Sequence, residues 1–152
     1  MFPLKNLNKM NREKLTEIYR QYDLEKDDIF MLKFGKIERP IITRSGIEKI
    51  QAKLDIQVNY KIEHLSDDLK SCIILATGII MVKDDPASQP GKSSRNVPKT
   101  MCQSFGEVSP SNNTQNYPIA MAEKRALGRV VLKMAKLFGV YTEEDSEDFK
   151  RK

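Results

Sequence analysis

The stretch Tyr117–Phe138, YPIAMAEKRALGRVVLKMAKLF, followed by Gly139, most narrows what this chain can fold into. Asn116 can cap a helix there, and Pro118 falls in the first turn, where a missing N–H costs nothing. Gly139 suits the left-handed residue that closes a helix. If fully helical, the run is about 33 Å long. Ile119, Ala122, Ala126, Val130, Met134 and Leu137 recur every three or four residues, and Leu127, Val131, Ala135 and Phe138 widen that apolar stripe. Arg125, Arg129, Lys133 and Lys136 recur at the same spacing as a cationic stripe. Such a helix is either a core helix with a solvated basic side, or a helix that packs on a sheet and offers its cations to a phosphate backbone.

The rest of the chain supplies the sheet. Asn11 precedes a short helix, Arg12–Tyr22, and residues 1–10 read as an arm. Ile29–Lys36 reads as a strand, with a bulge at Gly35 and a stop at Arg39–Pro40. Ser45 and Glu48 have capping-box spacing, which predicts a helix over 46–54. Ile56–Leu65 alternates, with Ile56, Val58, Tyr60 and Ile62 on one face. Leu69–Lys83 is apolar almost throughout and reads as a central strand. Residues 84–96, DDPASQPGKSSRN, form a polar loop, and Val97–Val108 is a further strand. These spacings predict an α+β fold. It is an antiparallel three- to four-stranded meander with a long C-terminal helix packed on one face and short helices beside it.

At 152 residues the chain suits one domain over 1–140. Residues 141–152 carry five acids and three bases and lack periodicity, so they read as a disordered charged tail. That tail nets −2 of the formal +5, which leaves +7 on residues 1–140 and favours a polyanionic partner. Cys72 and Cys102 sit in apolar runs and read as buried thiols. Their spacing offers no zinc site. The start, MFPLKNLNKM, lacks the apolar core of a secretory leader, and no run is long enough for a transmembrane helix, so a cytoplasmic protein is expected.

Two segments then resemble a known family. Ile42-Thr43-Arg44-Ser45-Gly46-Ile47-Glu48-Lys49-Ile50 is similar to the I-T-x-x-G-x-E-K-I/L opening of a group of phage and mobile-element proteins. Ala122-Glu123-Lys124-Arg125-Ala126-Leu127-Gly128-Arg129 is similar to the A-x-x-[K/R]-R-A-[L/M]-x-R helix that follows their sheet. The group resembles the single-strand DNA annealing superfamily, which includes the eukaryotic annealing protein of break repair and phage recombinases of the Red-beta, Erf and Sak kinds. The resemblance spans roughly residues 28–140. It implies a homo-oligomeric ring or filament that anneals single-stranded DNA in a basic groove, without ATP or another cofactor. A host single-strand-binding protein or nuclease would be a natural partner.

Annealing requires holding phosphates while leaving base edges free. The candidate phosphate contacts are Arg125, Arg129, Lys133 and Lys136 on the long helix, Arg44 at the start of the second helix, and Lys92, Arg95 and Lys99 around the polar loop. Each has a plainer reading as a solvated side chain, and Arg125 or Arg129 can instead pair with an acid inside the fold. The competing function is a metal-dependent nuclease or other small phage DNA-processing enzyme, using Asp67, Asp68, Asp84 and Asp85. A third is an assembly protein whose basic side meets an acidic partner. His64 is the only histidine, and no phosphate-cradling glycine loop is present.

Overall fold

Backbone meets backbone where the long helix lies on the sheet. A Cβ at Gly106 would overlap the carbonyl oxygen of Ala122 and the amide nitrogen of Ala126. One at Gly78 would overlap the Met134 sulfur. Glycine at these two strand positions lets a helix of small residues settle onto the pleat. In the computed structural model, which describes residues 4–84, 91, 95–114 and 116–147 (backbone only for 4–11), that helix is α3, Pro118–Met134.

Among the described residues ten elements occur in the order α1 Leu4–Tyr22, β1 Ile29–Phe34, β2 Ile37–Ile42, α2 Arg44–Leu54, β3 Gln57–Leu65, β4 Cys72–Lys83, β5 Asn96–Val108, α3, β6 Tyr141–Thr142 and α4 Glu143–Ser146. The architecture is α+β with two three-stranded sheets. The antiparallel meander is β3-β4-β5, with α3 packed across β4 and β5. Its core joins Cys72, Ile74 and Ala76 of β4 to Ala122, Ala126 and Val130 of α3. β3 pairs with β4 only as far as Ile79, so Ile80–Lys83 and Asn96–Thr100 continue beyond it as a two-stranded arm.

Four expectations change. The strand read over 29–36 is a hairpin of a separate sheet, β1-β2-β6, because Gly35 at φ +56° makes the turn instead of a bulge. The N-terminal arm belongs to α1, which begins at Leu4. α2 is capped by Thr43, whose hydroxyl accepts from Gly46 N–H, while the Ser45 hydroxyl donates to Asp28. Of the tail expected over 141–152, residues 141–147 form structure: β6 runs parallel to β2 at Ile41 and Ile42, and Thr142 caps α4; residues 148–152 lie outside the described residues. Thr142 is fully buried against Gly128 of α3.

Asp28 ties the first half together. Its carboxylate accepts from Lys49 Nζ, Ser45 Oγ and Glu25 N–H, each at 2.7 Å. Its carbonyl accepts from Thr43 N–H at 2.8 Å. Burial works to raise its pKa, but the bonds from Lys49, Glu25 and Ser45 outweigh that and hold it below the usual carboxylate range. A depressed carboxyl contributes stability above its unfolded pKa, near 4, and that contribution is lost as pH falls through the folded value. Asp28→Asn therefore lowers Tm at pH 7 by roughly 5 °C and shrinks the loss of stability between pH 5 and 3, read by thermal denaturation across pH.

Candidate nucleic-acid interface

The cationic stripe of α3 does not face a groove. Three of its members reach the outer edge of β5. Arg125 Nη1 donates to Glu107 O at 2.9 Å, Arg129 Nη1 to Phe105 O at 2.9 Å, and Lys133 Nζ to Gln103 O at 3.2 Å. The two periods match. Four helical residues advance about 6.0 Å and two strand residues about 6.6–6.8 Å, so a cation at every fourth helical position meets the carbonyl of every second strand residue. β5 is the edge of its sheet, and its outward carbonyls would otherwise lack protein partners.

Arg125 is 1% exposed. Its Nη2 also donates to Asn112 O at 2.9 Å, which pins the loop between β5 and α3, and its Nε has no partner. Arg129 is held by two carboxylates, Glu107 at 2.6 Å and Asp145 at 2.7 Å. Burial disfavours its charge, but the hydrogen bonds to Asp145 and Glu107 outweigh that and raise its pKa. Neither guanidinium is open to a phosphate, so both assignments to a phosphate contact are corrected. The cause is the β5 edge lying beneath the stripe.

Arg44 is not brought together with the other candidates. It is half-buried and paired with Glu48 at 2.9 Å. Its charge is felt by Tyr60 and Glu144, away from the arm. Lys92 lies outside the described residues. The remaining candidates converge. Lys133 sits level with Gln103, and Met134 is against Gly78, which pairs with Cys102. α3 runs antiparallel to β5, so its C-terminal end, with Lys136 two residues beyond it, faces the end of the sheet from which the arm with Lys99 and Arg95 extends. All four are exposed. Lys83, paired with Asn96 in the last rung of the arm, joins them. Its place as the polar end of an apolar strand was the available signal in the sequence.

From Gln103 to Arg95 this band spans roughly 26 Å of strand. Among the described residues, none of its five cations makes an ion pair, and Asp84 is the one acid on the arm. Lys136 also departs from the helix. Lys136 N–H donates to Lys133 O and Leu137 N–H to Leu132 O, which is the hydrogen-bond pattern of a Schellman close, with Lys136 left-handed at φ +57°. α3 thus stops short of the Gly139 expected to end it.

The acids of the nuclease alternative do not meet. Asp67 and Asp68 lie in the β3–β4 turn, where Asp68 accepts from Ser66 Oγ and Lys70 N–H. Asp84 lies at the far end of β4, roughly 40 Å of extended chain away. Asp85 lies outside the described residues. Among the described residues no three His, Cys, Asp or Glu side chains gather as a metal site. No described helix is long and apolar enough to cross a membrane. No family model, curated protein or solved structure matches the chain.

Arg125→Met keeps the aliphatic stem but strands two carbonyls, so it costs about 3 kcal/mol in urea denaturation. Arg129→Met, at a more exposed site, costs about 1 kcal/mol. Lys136→Gly relieves the left-handed backbone and raises stability by about 1 kcal/mol in the same measurement.

Proposed function

We propose that this chain binds single-stranded DNA through the cationic band of the β4–β5 arm and the end of α3, and pairs complementary strands without ATP. The observation that carries the reading is the band itself. Lys83, Arg95, Lys99, Lys133 and Lys136 lie along one end of the sheet without carboxylate partners among the described residues. Several cations elsewhere are matched at close range, as in Lys49 with Asp28, Lys53 with Asp23 and Arg129 with Glu107 and Asp145. A row of uncompensated cations on a narrow arm suits a flexible polyanion, which releases counterions on binding.

The resemblance at Ile42–Ile50 and Ala122–Arg129 supports annealing over simple storage of the strand. It also supports a homo-oligomer as the working form.

Fluorescence anisotropy with a labelled oligo-dT tests the reading. Binding is tight at low salt and weakens linearly in log–log terms as salt rises. Arg95→Ala with Lys99→Ala lowers affinity roughly tenfold and flattens the slope by about 1.4, two phosphates' worth, while Lys36→Ala on the other sheet changes neither. Mixing complementary labelled strands with the protein, in EDTA and without nucleotide, then yields duplex and no cleavage. Salt-independent or absent binding, or cleavage that needs magnesium, overturns the proposal.

A further inference from the structure

Among the described residues, no helix other than α3 is packed extensively on the β3-β4-β5 meander, and the composition of the face turned away from α3 is unusual for a solvated sheet. Alternation puts Cys72, Ile74, Ala76 and Gly78 against α3, so Ile73, Leu75, Thr77 and Ile79 form the middle row of the opposite face. Phe105 and Met101 stand beside Leu75 and Ile79, at 53% and 65% exposure. Across β4 from them are Lys61 and Gln57, with Asn59 and Gln103 on either side of Thr77. The floor is therefore apolar and amide-bearing. Its two acids nearest the centre are already matched, Glu63 by Lys61 at 3.0 Å and Glu107 by Arg129 at 2.6 Å. The cationic band borders this floor along β5 and the arm.

We infer that this open face is a nucleobase platform, on which the bases of a bound single strand lie while its phosphates follow the bordering cations, and that Phe105 is its stacking residue. The inference rests on the single-strand-binding reading and adds where the bases go. Charge complementarity selects the occupant. A second copy laid face to face would bring two cation-bordered surfaces together. A single strand instead brings phosphates to the border and π faces to Phe105 and the aliphatic row, and leaves its polar base edges free for a complement. Stacking on an aromatic tolerates any base, which is what a protein indifferent to sequence needs. The half-exposed aliphatic row gains from being covered.

The chain contains no tryptophan, so Phe105→Trp places a single indole on the platform. Two labelled strands of about 20 nucleotides are compared, oligo-dT and an abasic phosphodiester of equal length, long enough to cover a site of this size. Anisotropy reports binding by the parent protein and the variant, and indole emission reports stacking. Oligo-dT quenches the indole and the abasic strand does not; oligo-dT binds the parent at least about fivefold tighter than the abasic strand, and Phe105→Ala removes that preference. A tryptophan at Tyr60, on the helix side of the sheet, is not quenched. Salt-sensitive binding with no quenching at position 105, or with equal affinity for both strands, overturns the platform and leaves the band standing. No salt-sensitive binding by the parent overturns both.

Discussion

The commensurate fit between α3 and the β5 edge is the interaction on which the rest depends. A helix crossing a sheet satisfies its own backbone, but the outermost strand leaves every second carbonyl pointing outward. Here Arg125, Arg129 and Lys133 deliver donors to Glu107, Phe105 and Gln103 in turn. Each such bond is worth on the order of 1 kcal/mol, more where the donor is charged. The row fixes the register of helix on strand, which the apolar contacts of Ala122, Ala126 and Gly106 alone would set less sharply. Arg125 adds a second anchor at Asn112, and Arg129 a third at Asp145, so one helical face orders the strand, the loop before the helix and the segment after it.

That arrangement shows why net charge misdirects. The surplus of +7 over residues 1–140 is a property of the sum, and the sum does not say which cations are engaged. The most regular basic pattern in the sequence is the one committed to holding the fold. The cations of the arm, Lys83, Arg95 and Lys99, have no periodicity to announce them, because they lie on a two-stranded extension and not on a helix.

Long, strongly patterned elements were legible from the residues. The meander and the long helix follow from a two-residue alternation in Ile56–Leu65 and a three-to-four-residue recurrence in Tyr117–Phe138. What escaped was context or brevity. A helical stripe says which side a residue occupies, not what lies opposite, so Arg125 and Arg129 read the same whether water or strand carbonyls face them. Gly35 reads equally as a bulge or a turn until Phe34 is seen to pair with Ile37. β6 has two residues and α4 four, too few for any period to show. One signal was there to use: Thr142 stands three residues before Asp145, the spacing of a capped helix start, and the Thr142 hydroxyl accepts from Asp145 N–H.

The pairing of β6 with β2 joins residues about a hundred positions apart, Ile41 with Tyr141 and Ile42 with Thr142. During synthesis the β1–β2 hairpin leaves the ribosome early, yet its third strand arrives only after the whole meander and α3 have emerged. Loop-closure entropy makes such a distant contact slow to form. One side of β2 therefore stays unpaired until residues 141–142 have emerged, and only then can Thr142 seat against Gly128 and Asp145 reach Arg129.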